Sequence, residues 1–171
     1  MDLLKLLNAT GQQDQLIGKL ATQFGLDSAQ TGNAVNSIMG ALSGGVQNKA
    51  QQGGLQDLMG VLQQGNLEQY VDQPDQLSSS KDDGNALLGQ LLGSKDASRA
   101  VASNVEQQSG VSSDIVKQML PMVATMAMGA MKKNASSQGG DSQLSSMLTS
   151  LLDQDKDGNV LDDVMGLFGK R

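Results

Sequence analysis

The sequence contains neither cysteine nor histidine. Their absence excludes disulfide bonds, zinc sites built on thiolates or imidazoles, and nucleophile–base pairs that use either residue. Aromatic residues are also scarce, at 2% of 171 residues, with no Trp, one Tyr and two Phe. Any core must therefore be built from Leu, Val, Ala, Ile and the ten Met, which predicts an adaptable aliphatic core.

Negatively charged residues outnumber positively charged ones. The chain has 18 acidic and 12 basic residues, a formal net charge of -6 and a pI near 4.4. All the acids except Glu68 and Glu106 are Asp, and they lie in turns and at helix starts, where Asp is typical of caps. The basic residues are dispersed, whereas nucleic-acid binders cluster them. We therefore predict neither an enzyme nor a nucleic-acid binder.

Long hydrophobic runs are absent as well. The most apolar stretch, MLPMVATMAMGAM at residues 119–131, contains Pro121 and is shorter than the roughly 20 residues that span a bilayer. It predicts a buried helix. The opening residues MDLLKLLNATG lack a basic region and a small-residue cleavage site, so we expect no signal peptide and a soluble, cytoplasmic protein.

Gln, Gly and Ser are abundant and β-branched residues are sparse, a balance that favours helices joined by polar loops. The two halves of the chain are similar to each other when Leu3 is aligned with Leu88. This internal similarity predicts four helices in each half. The apolar positions that match are Leu3, Leu6, Leu7, Leu16, Leu20 and Leu26 against Leu88, Leu91, Leu92, Val101, Val105 and Val111. We predict an all-α tandem repeat whose two modules, 1–71 and 85–152, pack around a shared Leu/Met/Val core.

Each module is predicted to begin with a short Leu-rich helix and a second helix that stops at a left-handed glycine, Gly25 or Gly110. Asp27 and Ser112 then have the position of N-caps for a long third helix. Asn66 is predicted to cap one further short helix. The expected helices are 2–8, 12–23, 55–63, 67–71, 86–93, 96–108 and 143–152, together with the two long ones.

Residues 72–84, DQPDQLSSSKDDG, have the composition of a flexible linker. Neither module has enough bulky side chains to be stable alone. Two arrangements would bury their apolar faces: one intramolecular core, or self-association of the chain. Both stay open at the level of the sequence.

Residues 85–133 carry a resemblance to a known family. The LLGQLLG start, the SGVS turn and the LPMVATMAMGAMKK helix resemble the bacterial family catalogued as domain of unknown function 937, which is similar in fold to the small helical YidB-like proteins. The amino-terminal half resembles a weaker copy. The resemblance implies an all-α bacterial protein, and it implies neither an activity nor catalytic residues.

Methionines recur along the predicted long helix at spacings of three and four, at Met119, Met122 and Met126. One interpretation is core packing. The other is an adaptable groove for an apolar small molecule, a lipid or a partner helix. The second interpretation makes the protein a carrier, with its ligand held between this helix and residues 35–46.

The stretch LLDQDKDGNVLDDVMGLFG, residues 151–169, contains a DxDxDG pattern between two predicted helices. Carboxylates at alternating loop positions, with Gly158 at the sharp turn, follow the first half of a calcium loop. Val164 stands where that loop has a bidentate Glu, which predicts weakened affinity. The candidate calcium ligands are Asp153, Asp155, Asp157, Asn159, Asp162 and Asp163.

A structural interpretation of the same residues needs no metal. Asn159 would cap the last helix, and Asp162 and Asp163 would lie in its first turn, where the helix dipole favours acids. The apolar side of the tail, followed by Lys170 and Arg171, has the pattern of a weak membrane contact or of docking onto the protein's own core; the docking is the expectation. From the sequence we predict a non-enzymatic interaction or structural protein with a protein partner or self-association, a candidate calcium loop, and no other cofactor.

Overall fold

The computed structural model describes residues 11 and 13–140, together with 142 and 146. Over these residues all regular structure is helical, which confirms the all-α prediction. The α-helices are α1 (Gln13–Phe24), α2 (Ser28–Gln51), α3 (Leu55–Gln64), α4 (Glu68–Asp72), α5 (Lys81–Leu92), α6 (Lys95–Ser109) and α7 (Ser113–Gln138). A 3₁₀ helix, Pro74–Ser79, lies between α4 and α5.

The predicted helix ends are largely confirmed. Gly25 and Gly110 adopt φ of 65° and 74°, the left-handed conformation that ends α1 and α6. The Asp27 carboxylate accepts a hydrogen bond of 2.7 Å from the Gln30 backbone N–H at the start of α2. Ser112 is the N-cap residue of α7, but its side chain makes no capping hydrogen bond.

Several boundaries differ from the prediction, and the largest difference is at α5, which begins at Lys81 instead of at residue 86. Helix α6 begins at Lys95, because the Ser94 hydroxyl accepts a hydrogen bond of 3.1 Å from the Ala97 backbone N–H and so caps it. Helix α4 has Leu67 at its N-cap, and Asn66 does not serve as the side-chain cap. Residues 72–84 are mostly helical where the composition indicated a flexible linker. The predicted helices 2–8 and 143–152 lie outside the described residues.

The register of the helices agrees with the internal similarity. The shift that places Leu3 over Leu88 also places the last residue of α1, Phe24, over the last residue of α6, Ser109. It likewise places the start of α2 at Ser28 over the start of α7 at Ser113. The tandem repeat itself and the module boundaries 1–71 and 85–152 stay predictions, because the counterparts of α3 and α5 fall outside the described part of the chain.

Helix α7 forms the centre of the core. Residues 119–131 are buried without exception, and α7 packs against α2, α4, α5 and α6. One continuous cluster joins side chains of all these helices with those of α1 and α3, which confirms the shared Leu/Met/Val core. Burial of each Leu, Ile or Met side chain stabilises the folded state by about 1.5–3 kcal/mol relative to leaving it exposed. The largest of them are Leu16, Leu20, Ile38, Met39, Leu42, Leu62, Leu67, Met119, Leu120 and Met122.

Two helix crossings on α7 depend on glycine. At the first, Gly84 of α5 lies on the backbone of Pro121, and a Cβ added to Gly84 would come within 2.6 Å of the Pro121 Cα and closer to its carbonyl oxygen. At the second, Gly129 lies beneath the Leu67 carbonyl, where an added Cβ would be 2.9 Å from the Val71 Cγ2. The start of α4 and the first turn of α5 therefore approach α7 at backbone distance.

A side-chain hydrogen bond links α4 to α5. The Tyr70 hydroxyl, on a side chain that is only 6% exposed, donates to the Asp83 Oδ2 at 2.8 Å. Burial first, and then the hydrogen bond and the negative charge of Asp83, raise the pKa of Tyr70 above its usual 10.0. Tyr70 is the one tyrosine of the sequence, so its titration can be followed directly.

We predict that Tyr70→Phe lowers the free energy of unfolding by about 1 kcal/mol at pH 8, because the hydrogen bond is lost. A raised folded-state pKa contributes stability that is complete below pH 10 and is lost as the pH rises through the folded value. The difference between wild type and Tyr70→Phe should thus narrow above pH 10. Urea unfolding between pH 8 and 11.5 measures it, and the wild-type tyrosinate absorbance at 295 nm gives the folded pKa. A gap that stays constant, with a titration midpoint at 10, would contradict this account.

Candidate functional site

A surface groove runs between α2 and α6. Its first stretch has a volume of about 590 Å³ and is lined by small or amide side chains. Asn36, Ser37, Gly40 and Ala41 come from α2, and Ala100, Val101, Asn104, Val105 and Gln108 come from α6.

The second stretch continues the first, because Ala41 and Val101 line both. Its volume is about 770 Å³, and it extends past Gly44 and Ala97 to the carboxyl end of α5 at Gly93. We call the two stretches together the α2–α6 groove. It follows α2 from Asn36 to Gln52, which at 1.5 Å per residue is a length of about 24 Å.

The groove is open because α2 carries small side chains on this side. Asn36, Gly40, Gly44 and Asn48 recur every four residues and therefore lie on one face of the helix. A Cβ added at Gly40 or Gly44 would meet no heavy atom within 4 Å. The backbone of α2 is thus accessible to a molecule that lies along the groove.

The polar groups of the groove are mainly amides and hydroxyls. At one end the Ser37 hydroxyl donates to the Gln108 Oε1 at 2.9 Å, so α2 and α6 are joined there. The cation of the second stretch, Lys49, forms an ion pair of 3.5 Å with Asp57 of α3. A surface of this kind offers van der Waals contact and amide hydrogen bonds, and its described lining contains no pair of carboxylates for acid–base catalysis.

A cleft of about 490 Å³ between α5, α6 and α7 carries Lys95, Arg99 and Lys117. Two of these cations have exposed acidic partners: Arg99 pairs with Asp96 at 3.0 Å, and Lys117 pairs with Asp114 at 3.1 Å. Exposed pairs of this type are weak and are screened by salt. Because an acid lies beside two of the three cations, the net positive charge of the cleft is small.

The sites predicted from the sequence have separate outcomes. Asp153, Asp155, Asp157, Asn159, Asp162 and Asp163 lie outside the described residues, so the calcium loop stays a prediction. In the described ranges no group of three acidic side chains could hold a metal ion.

The core interpretation of the methionine stripe is confirmed. Met119, Met122 and Met126 are completely buried, and among the described residues no methionine lines the α2–α6 groove or the cationic cleft. These side chains pack inside the protein. The carrier interpretation, with its ligand between this helix and residues 35–46, stays a prediction.

Sequence reasoning missed the α2–α6 groove. Its signal is a repeat of small residues every four positions on α2, with Ala97 and Ala100 on α6. Small residues at this spacing can lie on a covered or on an open face of a helix. Here they lie on an open face, and their alignment creates the groove.

The described residues define a class: a helical protein with a Met-rich core and a surface groove. Among the described helices, none combines the length and the apolar character that crossing a membrane requires. Residues 6–131 and 126–171 match the model of a family described as "Bacterial protein of unknown function (DUF937)", and the chain belongs to this family. No curated protein and no solved structure matches the chain.

Proposed function

We propose that this protein is a non-enzymatic interaction protein and that the α2–α6 groove is its contact surface. The observation that carries the proposal is the open backbone of α2 at Gly40 and Gly44, aligned with Ala97 and Ala100 across the groove. Helices pack at interaxial distances of about 8–10 Å, and the smallest side chains permit the closest approach. The partner that fits is a helical segment with an apolar side, from another protein or from a second copy of this chain.

The lining supports this class of partner over a small polar substrate. Ala41, Ala100 and Val101 supply apolar surface to the groove, and Asn36, Asn48 and Asn104 supply amides. Apolar surface combined with polar groups is the usual anatomy of a protein interface. The net charge of -6 adds a preference for partners that are not strongly acidic.

The test uses a photo-crosslinking amino acid at position 40 of the full chain, expressed in bacteria. We expect a discrete adduct with one protein, or with a second copy of the chain, which is identified by mass spectrometry and then reconstituted from purified components. Ala100→Arg, which places a long charged side chain in the groove, should weaken the reconstituted complex at least tenfold. Ser103→Arg on the same helix is the matched control, because Ser103 is exposed and does not line the groove.

A second probe position separates specific contact from chance encounter. Gly18 of α1 is exposed, and an added Cβ there would also meet nothing within 4 Å. Identical adducts from positions 18 and 40, or a complex that is insensitive to Ala100→Arg, would refute the proposal. A small-molecule mass retained by the native protein, with no protein adduct, would instead support the carrier function.

Calcium binding by the DxDxDG loop is a second element of the proposal, supported by the oxygen ligands at alternating positions. We expect saturable heat when calcium is titrated into EDTA-treated protein, with a dissociation constant on the order of 0.1–1 mM because Val164 replaces the bidentate Glu. The heat should vanish in an Asp153→Ala, Asp155→Ala double variant. An exposed pair of carboxylates elsewhere, changed by Asp82→Ala and Asp96→Ala, serves as the control and should leave the heat unchanged. No heat at millimolar calcium would leave these residues as caps and a turn.

A further inference from the structure

The cationic cleft between α5, α6 and α7 brings three positively charged side chains to one cavity, and its described lining contains no carboxylate. Its other polar side chains are an amide and two hydroxyls, which can also donate hydrogen bonds. Cations and neutral donors without a competing acid suit an anionic ligand. The polar side chains of the cleft are those of Asn85, Ser94, Lys95, Ser98, Arg99 and Lys117.

The cations of the cleft have capacity left for a ligand. Asp96 and Asp114, which pair with Arg99 and Lys117, do not line the cleft, and their side chains are 89% and 88% exposed. Arg99 contacts Asp96 through Nη1 alone, which leaves its Nη2 and Nε as donors. Among the described residues Lys95 forms no ion pair. Exposed pairs are weak, so a ligand held by several cations can compete with them.

The charge balance of the cleft limits the charge of the ligand. Three cations beside two acids leave one positive charge. One carboxylate matches that charge, whereas a phosphate monoester carries about -1.5 to -2 at pH 7. The planar guanidinium of Arg99 also matches a carboxylate in geometry, because it can donate two parallel hydrogen bonds to its two oxygens.

The rest of the cleft indicates the body of the ligand. The buried side chains of Leu88 and Leu120 lie at its base, and the aliphatic stems of the three cations add apolar surface. An added Cβ at Gly89 would meet nothing within 4 Å, so the α5 side of the cleft is open. No aromatic side chain is in the described lining, so a flat ring has nothing to stack on. The volume of about 490 Å³ is within the range of small-molecule sites.

We infer that the cationic cleft binds a small aliphatic carboxylate. Lys95, Arg99 and Lys117 hold the carboxylate group, and the aliphatic body lies over Leu88 and Leu120. This site is separate from the α2–α6 groove, because Gly89 is the one residue that the described linings of the two share. The inference therefore does not rest on the proposed function.

Calorimetric titration of the full-length protein with octanoate, at low ionic strength, tests the inference. We expect saturable binding with a dissociation constant on the order of 1 mM, which is typical of a ligand of this size in an open cleft. Octanamide has the same body without the charge, and it should bind about tenfold more weakly. Equal affinities for octanoate and octanamide would overturn the inference. Tighter binding of octyl phosphate than of octanoate would overturn the assignment of a carboxylate.

Three variants locate the octanoate site. Lys95→Gln and Arg99→Gln should each weaken octanoate binding about threefold or more, because each removes one cation from the cleft. Lys81→Gln is the matched control: Lys81 is exposed, and it does not line the cleft. Its removal changes the net charge of the protein equally and should leave the affinity unchanged. Equal losses in all three variants would show that binding follows net charge alone, and unchanged affinity in Arg99→Gln would place octanoate elsewhere. Either result would overturn the inference.

Discussion

Gly84→Ala is expected to lower the free energy of unfolding by about 3 kcal/mol, the upper part of the range for an overpacked site. The added methyl would lie within 2.6 Å of the Pro121 Cα and closer to its carbonyl oxygen, so α5 and α7 must separate. A backbone cannot turn away as a flexible side chain can. Separation would also disturb the buried Thr125 hydroxyl, which donates to the Pro121 carbonyl at 2.8 Å and lies 3.4 Å from the Ser80 carbonyl across the same crossing.

Gly89→Ala is the matched control, because Gly89 is in the same helix and an added Cβ there meets nothing within 4 Å. Gly89→Ala should raise the free energy of unfolding by up to about 1 kcal/mol, through helix propensity alone. Urea unfolding followed by circular dichroism at 222 nm gives both values, provided that the slope with urea is the same in all three proteins. Equal effects at positions 84 and 89 would show that the α5–α7 crossing is not limited by backbone contact.

Helix ends with a local chemical signal were predictable from the sequence. Asp27 caps α2 because its carboxylate is three residues before an unpaired backbone N–H, and Gly25 and Gly110 end their helices because they tolerate positive φ. The buried run at residues 119–131 was predictable from composition alone, because it has thirteen mostly apolar residues without a charge, and such residues are usually buried.

The segment 72–84 shows where the sequence misleads. Pro74, Ser80 and Gly84 have the composition of a linker, but each has a structural role. Pro74 begins a 3₁₀ helix, Leu77 is buried, and the buried Ser80 hydroxyl donates to the Leu77 carbonyl at 2.7 Å. Gly84 is required because a distant residue, Pro121, approaches it, and no local pattern records that distance.

The groove was unpredictable for a related reason. A small residue on a helix has the same local signal whether a neighbouring helix covers it, as at Gly129, or leaves it open, as at Gly44. The calcium loop has the opposite character: its pattern is visible in the sequence, and only a binding measurement decides between ligands and caps.

Gly129→Ala and Gly44→Ala are the same change at equivalent positions of the internal similarity, and they should have opposite effects. At position 129 the methyl would be 2.9 Å from the Val71 Cγ2 and closer to the Leu67 carbonyl oxygen, which forces α4 away from α7. We expect the free energy of unfolding to fall by about 3 kcal/mol, because the cost of overpacking against backbone exceeds the gain of about 1 kcal/mol from helix propensity. At position 44 the methyl meets no described atom, so only the gain in propensity remains.

Urea unfolding of the two variants in parallel provides the measurement. The ion pair between Lys133 and Asp72, which also joins α7 to the end of α4, allows a check on mechanism. If Gly129→Ala moves α4, then Asp72→Asn should cost less in that variant than in wild type, because the pair is already separated. A loss of stability at position 44 as large as that at 129 would mean that both faces are covered with equal closeness, and the α2–α6 groove would then not be an open surface in the free protein.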